Sequence, residues 1–272
     1  MGKPVIHPTA IVHPGAQLAD DVIVGPYAVI DEHVTVGPRT RIEQGARLTG
    51  WTTLGADNRV DMHAIIGHEP QDAAFQGGES YVRIGDRNTF REFVTIHRGT
   101  KPGTATVVGN DCFLMGMAHL AHNCQLGNQV TICNGTLLAG YVAVEDQAFI
   151  SGNCAIHQFV RIGRLAMVGG LTRIVKDVPP FLTTELDSAV SAINLVGLKR
   201  AGISPQTRAE IKQAYKLLYR SGLNTAQALE ALDRIATTPE VRQFIAFIRG
   251  SQRGICRHKG ERPIDTPADS VL

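Results

Sequence analysis

Two histidines three positions apart offer the clearest chemistry in this 272-residue sequence. His119 and His122 lie in the stretch MAHLAHNC, at positions 117–124. Imidazole changes its protonation state near neutral pH, so a histidine here can act as a general base on a hydroxyl group. Imidazole is also a zinc ligand, and this pair could contribute to a metal site that a histidine of another subunit completes. The spacing leaves three interpretations open: acid–base catalysis, a zinc centre, or ordinary exposed histidines.

A six-residue repeat surrounds these histidines and must position them. From Ile6 to Ile174, every sixth residue is aliphatic or phenylalanine except at Asp72, Gly78 and Pro102. A period of six fits neither a 3.6-residue helix nor a simple alternating strand. It is typical of a parallel β-helix, in which each hexapeptide supplies one short strand and one turn, and three hexapeptides close one coil. The sequence therefore predicts an all-β domain whose repeated residues point inward.

The residues flanking the repeated position are patterned as well. Glycine often follows it, as at Gly25 and Gly37, and we expect these glycines to occupy turns because glycine accepts a positive φ. Small or β-branched residues dominate two positions before it, and Cys112, Cys124 and Cys154 fall there. Packing explains these thiols, so the sequence does not favour a catalytic cysteine.

Stacking of successive coils gives His122 a predicted neighbour. The residue 18 positions later is Gly140, and no interruption separates them, so they should lie one coil apart, at about 4.8 Å. A glycine N–H beside a general base is suited to stabilise the oxyanion of an acyl-transfer reaction. The arithmetic thus favours acyl transfer, although glycine is frequent throughout the chain.

Two segments interrupt the repeat, at about 68–82 and at 98–106. We interpret both as loops that leave the coils. Functional residues often lie in such excursions, although tolerated surface insertions look the same in a sequence. His97 stands at the mouth of the second loop, and His157 follows an inward position. Both are candidate substrate contacts or, alternatively, structural turn residues.

The chain changes character after Pro179 and Pro180, which we expect to end the β-helix. We assign residues 1–180 to the β-helix, 181–255 to a small α-helical carboxy-terminal domain, and 256–272 to a flexible tail. Ser204 suits an N-cap and Pro205 a first helical position. Further helices are expected over Thr225 to Ala236 and from Pro239.

A basic face marks the first of these predicted helices. Lys212, Lys216 and Arg220 recur every four residues and so lie on one side of a helix. A solvated surface is the ordinary explanation. A docking surface for an acidic protein or a phosphate group is the alternative.

Composition excludes several classes of function. Lys and Arg number 27 against 25 Asp and Glu, a balance that argues against a nucleic-acid binder. No apolar run approaches the length of a membrane span. Five cysteines form an odd set with no CxxC pair, which predicts reduced thiols and a cytoplasmic location. We expect neither a cofactor nor a bound metal ion.

The chain resembles the UDP-N-acetylglucosamine O-acyltransferase family of lipid A biosynthesis up to about residue 250. The segments that carry the resemblance are 70–72, 84–88, 95–100, 118–122, 168–170, 177–180, 194–200 and 214–222. The resemblance implies a left-handed parallel β-helix and a homotrimer with sites between neighbouring chains. It also implies that His122 is the general base, that Gly140 is the oxyanion donor, and that acyl carrier protein delivers the hydroxyacyl chain.

Further roles follow from the resemblance alone. Positions matching substrate contacts are Asp72, His97, His119, Gln158, Asn194 and Arg200. Gly170 matches the position that limits acyl length, and the basic helical face would dock the acidic carrier protein.

The sequence departs from the family pattern at several positions. Asn123 stands where an aspartate often follows the base, and Ala74, Tyr141, Val196 and Ala201 replace polar or charged residues. Most of the departures cluster around the sugar nucleotide. An amino-substituted sugar nucleotide as acceptor, or a divergent paralogue, therefore stands beside the main hypothesis.

Overall fold

Three parallel sheets form the larger part of the structure, a computed structural model that describes residues 2–260. Consecutive strands lie on successive faces of a three-sided prism, and each pairs with a strand 18 residues away in the regular coils. Val5 pairs with Ile23, for example, and Gln17 with Thr35. The hexapeptide repeat thus forms the predicted β-helix, with three hexapeptides in each coil.

Each face is a ladder of very short strands. The first face contains Val5–Ile6, Ile23–Val24, Arg41–Ile42, Arg59–Val60, Thr89–Phe90, Phe113–Leu114, Thr131–Ile132, Phe149–Ile150, Met167–Val168, Leu182–Glu185, Ala189–Ile193 and Arg257–His258. The second face contains Ile11–Val12, Val29–Ile30, Arg47–Leu48, Ile65–His68, Thr95–His97, His119–Leu120, Leu137–Leu138, Ala155–Ile156 and Arg173–Ile174. The third face contains Gln17–Leu18, Thr35–Val36, Trp51–Leu54, Tyr81–Ile84, Ala105–Val108, Gln125–Leu126, Ala143–Val144 and Arg161–Ile162.

The repeated aliphatic residues form one continuous core inside the prism. Ile66, Ile96, Leu120 and Leu138 stack in register on the second face, and none of them is exposed to solvent. Burying an aliphatic side chain of this size stabilises the folded state by about 1.5–3 kcal/mol. The core therefore extends along the prism rather than forming a compact centre.

Most glycines after the inward position serve the packing between coils. Our expectation that they occupy left-handed turns holds at Gly67 (φ 91°) and is wrong at the others, such as Gly25 and Gly37. Left-handed φ values occur two positions later and mostly at other residue types, such as Asn123 (φ 61°) and Tyr141 (φ 59°). A Cβ on Gly37 would lie 2.5 Å from the backbone of Gly55 in the next coil. Glycine is required there because two backbones approach each other closely.

Both loops leave the corner between the second and third faces. The first loop spans residues 69–80 and the second loop spans 98–104, since the residues on either side belong to strands. Across the first loop the strand partner of Val60 is Phe90, and across the second the partner of Ile96 is Leu120. These steps of 30 and 24 residues exceed 18 by whole hexapeptides, so the inward frame continues after each loop.

The β-helix continues past the two prolines that we expected to end it. Leu182–Glu185 pairs in parallel with Met167–Val168, so the first face gains a further strand. Pro179 and Pro180 are buried and are tolerated because the hydrogen bonds of this turn come from other residues. Val178 donates to the carbonyl of Arg161, and Phe181 donates to that of Arg164.

A hairpin and four helices follow. Leu182–Glu185 and Ala189–Ile193 form an antiparallel pair, which the sequence analysis did not predict. The helices are α1 (Leu195–Arg200), α2 (Pro205–Arg220), α3 (Thr225–Ile235) and α4 (Pro239–Arg249). The helices predicted from Ser204, Thr225 and Pro239 are confirmed, whereas α1 was missed. No helix within residues 2–260 is long and apolar enough to cross a membrane.

The first residues assigned to a flexible tail are in fact packed. Cys256 is fully buried, and Arg257–His258 adds a strand beside Ala189–Val190. The hydroxyl of Tyr219 donates to the carbonyl of Cys256 at 2.9 Å. These contacts correct the tail assignment for 256–260, because polarity alone did not reveal the pairing. Positions 261–272 lie outside the described residues.

The two ends of the β-helix differ. The hairpin and helices cover the carboxy-terminal coils, and Arg161 packs against Phe247 of α4 with its guanidinium carbon 4.1 Å from the ring centre. At the amino-terminal end, Val5 and Ile11 are 63% and 66% exposed. The first coil therefore has a neighbouring coil on one side only.

The close approach of neighbouring coils predicts different outcomes for two glycines. Gly37→Ala should destabilise the fold by about 1–3 kcal/mol, because the added methyl group meets backbone that cannot move aside. Gly170→Ala is the matched control, since its Cβ would lie 3.5 Å from its nearest neighbour. Urea unfolding followed by circular dichroism measures both variants. Equal stabilities would contradict the packing role assigned to Gly37.

Candidate active site

His122 lies at the corner from which both loops emerge. It lies two residues after the end of the strand His119–Leu120, and Asn123 makes the turn with a left-handed backbone. His122 is only 7% exposed. The corner therefore holds one imidazole in a fixed, largely desolvated place.

Hydrogen bonds to Asn123 define which nitrogen of His122 is basic. The Oδ1 atom of Asn123 lies 3.0 Å from His122 Nδ1 and accepts the backbone N–H of Thr100 at 3.0 Å. The Thr100 contact identifies this atom as the amide oxygen, which can only accept. Nδ1 therefore carries a proton, and in the neutral imidazole Nε2 keeps its lone pair.

The first loop brings a carboxylate to the basic nitrogen. Asp72 Oδ2 lies 3.4 Å from His122 Nε2, and Asp72 Oδ1 accepts the backbone N–H of Ala74 at 2.9 Å. At this distance the carboxylate and the imidazole nitrogen are within electrostatic range of each other. The structure thus brings together two residues that lie 50 positions apart.

Gly140 lies against the imidazole, as the coil arithmetic predicted. Tyr141 donates its N–H to the carbonyl of His122 at 3.0 Å, which places 140 one coil beyond 122. A Cβ on Gly140 would lie 2.4 Å from Cε1 of His122, so only glycine fits beside the ring. No group within residues 2–260 accepts the N–H of Gly140, and this donor is available to a ligand.

Two more histidines stand next to this corner on the second face. The ring centre of His97 lies 4.9 Å from that of His119 in an edge-on contact. Burial, together with the smaller effect of the neighbouring histidines, lowers the pKa of His97 to about 4. Burial also lowers the pKa of His119, whose Nδ1 lies 2.7 Å from the hydroxyl of Thr95. Both rings are therefore neutral at pH 7 and can accept or donate one hydrogen bond at each nitrogen.

An apolar groove runs along the second face from His119. It has a volume of about 340 Å³, and its walls include Leu137, Ala139 and Val175. His157 lines the same groove, and Gln158 follows it, half-buried. An apolar groove of this kind is suited to an alkyl chain.

Three predicted site residues lie away from His122 within one chain. Gly170 lies at the corner between the first and second faces. Asn194 caps α1 by accepting the N–H of Gly197 and donates to the carbonyl of Leu165. Arg200 is exposed in the last turn of α1. A single chain therefore does not assemble the whole predicted site.

The predicted basic face is present on α2. Lys212, Lys216 and Arg220 are all exposed. The guanidinium carbon of Arg220 lies 5.4 Å from the ring centre of Tyr215, which fixes the orientation of this cation.

Sequence reasoning missed the groups that hold Asn123 beside His122. Thr100 and Thr106 received no attention, yet Thr100 N–H and Thr106 Oγ1 both bind Asn123. The only sequence feature that pointed to these two threonines was their place in or next to the second loop. Within one chain, residues 2–260 contain no cluster of three or more His, Cys, Asp or Glu side chains placed to hold a metal ion.

Comparison with known proteins identifies similar chains over nearly the full length. The family described as UDP-N-acetylglucosamine O-acyltransferase, domain 2, matches residues 177–256, and the bacterial transferase hexapeptide family matches 105–140. An acyl-[acyl-carrier-protein]–UDP-N-acetylglucosamine O-acyltransferase of Anaeromyxobacter sp. is 45% identical over 255 residues, covering 93% of this chain and 99% of the relative. A protein of the same name from Synechocystis sp. is 49% identical over 203 residues, which is 74% of each chain.

Solved structures of enzymes with the same name are similar to this chain over nearly its full length. The UDP-N-acetylglucosamine acyltransferase of Francisella novicida superposes with a TM-score of 0.91 at 36% identity, covering 98% of this chain and 99% of that chain. The enzyme of the same name from Campylobacter jejuni gives 0.89 at 35% identity, covering 93% and 100%. The predicted fold class, a left-handed parallel β-helix followed by a small helical domain, is confirmed.

The buried state of His97 predicts a pH dependence of stability. Its pKa is about 4 in the folded protein against about 6.5 when unfolded, so the unfolded state binds the proton more readily between these values. Stability should therefore fall as the pH drops from about 6.5 to about 4, by up to about 3 kcal/mol from this group. His97→Asn should flatten this part of a curve of urea midpoint against pH. His13→Asn, at an exposed turn, serves as the control, and an unchanged slope in His97→Asn would contradict the assignment.

Proposed function

The chain belongs to the UDP-N-acetylglucosamine O-acyltransferase family, and we propose that His122 is the general base of its reaction. The activity is the transfer of a 3-hydroxyacyl chain from acyl carrier protein to the 3-hydroxyl group of UDP-N-acetylglucosamine, the first step of lipid A biosynthesis. One observation carries the assignment of the base. His122 has its Nδ1 proton held by Asn123 and its Nε2 free to accept a proton.

The proposed reaction proceeds through a tetrahedral intermediate. His122 Nε2 takes the proton of the sugar hydroxyl while that oxygen attacks the thioester carbonyl. The carbonyl oxygen becomes an oxyanion, and the N–H of Gly140 stabilises its charge. Collapse of the intermediate breaks the carbon–sulfur bond, and the imidazolium returns its proton to the departing carrier thiolate. The products are the sugar ester and the free carrier thiol.

Asn123 supplies orientation to this base but no charge. An amide acceptor holds one tautomer, as a carboxylate would, and leaves stabilisation of the imidazolium to Asp72 at 3.4 Å. This division of roles is our reading of the substitution at position 123. It makes the first loop part of the acid–base apparatus as well as of the acceptor site.

The remaining site residues are assigned by position. Asp72, His97, His119, His157 and Gln158 are proposed to contact the substrates, because they border the corner of His122 or the apolar groove. The groove is proposed to hold the acyl chain beside His119, and Gly170 is proposed to limit its length.

We infer that a homotrimer completes the site. Asn194 and Arg200 lie away from His122 in their own chain, so a neighbouring chain would have to present them to the sugar nucleotide. Exposed apolar side chains along the corner between the first and second faces support contact between chains, notably Met117 (61% exposed) and Leu171 (81% exposed). Light scattering of the purified protein measures this directly, and the mass of a single chain would refute it.

The basic face of α2 is proposed to dock acyl carrier protein. Lys212, Lys216 and Arg220 present three exposed cations to an acidic partner, and such contacts raise the rate of association. Salt should therefore weaken the apparent affinity for the carrier. A cytoplasmic location is proposed on the same basis, since the carrier is the donor of the reaction.

Replacement of the base tests the main proposal. His122→Ala should lower kcat/KM by about a thousandfold without loss of folded structure. Mass spectrometry of products from acyl carrier protein thioesters and UDP-N-acetylglucosamine measures the reaction, with an amino-substituted sugar nucleotide as a second acceptor. His13→Ala, in the first coil, is the matched control. Equal rates for the wild type and His122→Ala would refute the role of His122.

A carboxylate at position 123 should change the pH dependence of the rate. Asn123→Asp adds a negative charge beside Nδ1 and favours the protonated imidazole, which is inactive as a base. The acid limb of kcat/KM should therefore move to higher pH over a range of about pH 5 to about pH 9. Gln129→Glu makes the same amide-to-carboxylate change at a left-handed turn of another corner and should leave the profile unchanged. An unshifted acid limb in Asn123→Asp would show that Asn123 does not act on the base.

A further inference from the structure

Arg98 is a buried cation that the proposed reaction does not use. It is 7% exposed and is the only buried lysine or arginine within residues 2–260. Its one ionic partner, Glu69, accepts from Nη2 at 3.2 Å but has a side chain that is 59% exposed. Its Nε is buried without a hydrogen-bond partner. Removing a cation from water with only one exposed ionic partner costs free energy. The reason for its burial must therefore lie in its contacts with other groups.

Two aromatic rings enclose the guanidinium group. The Cζ atom of Arg98 lies 5.5 Å from the ring centre of Trp51 and 5.2 Å from that of Phe75. A planar guanidinium stacks on such rings in a way that an ammonium group cannot. Trp51 belongs to a coil, whereas Phe75 belongs to the first loop. Arg98 therefore joins the loop to the β-helix.

The coil side of this contact is fixed. Trp51 stacks on His33 with ring centres 4.9 Å apart and planes 5° from parallel. Gly50 leaves room for the arginine, because a Cβ there would lie 3.2 Å from Nη1. The guanidinium thus lies on the Trp51 ring, which is itself held by His33, and the contact with Phe75 positions the first loop.

The loop side of this contact leads directly to the base. Phe75 donates its N–H to the carbonyl of Asp72 at 2.9 Å, and Ala74 donates to the Asp72 carboxylate. Residues 72–75 therefore form one hydrogen-bonded turn. One end of this turn carries Phe75 onto Arg98, and the other carries Asp72 Oδ2 to 3.4 Å from His122 Nε2.

We propose that Arg98 is a positioning residue that sets the first loop, and with it Asp72, against His122. The inference rests on the proposed function for its catalytic consequence. Arg98 acts through Phe75 and the turn at 72–75 and does not touch the substrates. A purely structural role would affect stability alone, whereas this role affects the placement of one carboxylate.

A double-mutant cycle separates these roles. Arg98→Met removes the charge and the planar group, and it should lower kcat/KM by about tenfold to a hundredfold with little change in thermal unfolding. In an Asp72→Asn background the same substitution should cost nothing further, because the residue it positions has already lost its charge. Arg98→Lys should recover little of the loss. Arg83→Met is the control, since Arg83 is exposed and stacks at 5.0 Å on Tyr81, which follows the first loop and is not part of the turn at 72–75.

Amide hydrogen exchange tests the placement without any assay of activity. Arg98→Met should raise exchange of the Ala74 and Phe75 amides by about tenfold, while Arg83→Met should not. Unchanged amide exchange in Arg98→Met would overturn the proposal. So would a loss of kcat/KM in the double variant equal to the product of the losses in Arg98→Met and Asp72→Asn. A third outcome is that Arg98→Met raises the exchange of these amides while the wild-type protein transfers no acyl group. That outcome would refute the proposed function and leave the positioning role standing.

Discussion

The hydrogen-bonded stacking of one coil on the next is the constraint on which this structure depends. Each coil must return to the same point after a whole number of hexapeptides, or every later inward side chain would leave the core. The same stacking places backbone against backbone, which explains why Gly37 cannot carry a side chain. It also places Gly140 under the ring of His122, so the site inherits its geometry from the repeat itself.

The irregular parts of the chain obey this constraint while supplying the chemistry. Both loops leave the same corner and lengthen their coils by whole hexapeptides, so they lie beside His122 without disturbing the coils beyond. The first loop brings Asp72 to Nε2, and the second brings the Thr100 N–H to Asn123. The regular scaffold therefore fixes His122 and Gly140, and the loops determine the charge and hydrogen bonds around them.

The repeat made the regular part of the molecule predictable, because a period of six specifies strand, turn and register together. Even the three exceptions to it, Asp72, Gly78 and Pro102, fall inside the two loops. The buried guanidinium of Arg98 and the acceptor role of Asn123 could not be predicted in this way. They depend on contacts between loops and coils far apart in sequence, which a local period does not encode. The pairing of Arg257–His258 was missed for the same reason, since a polar segment becomes a strand only when an open sheet edge is available.

The two ends of the prism differ in how well they are covered, and this difference determines where unfolding of the β-helix would begin. A linear stack holds each coil mainly through its neighbours, so loss of structure is easiest where a neighbour is absent. Among residues 2–260, that condition exists at the coil of Val5 and Ile11, whereas the hairpin and helices cover the opposite end. Fraying would have to travel through the successive coils of residues 5–60 before it reached the loops and His122. Local unfolding that begins in the first coils would therefore leave His122 and its surroundings folded.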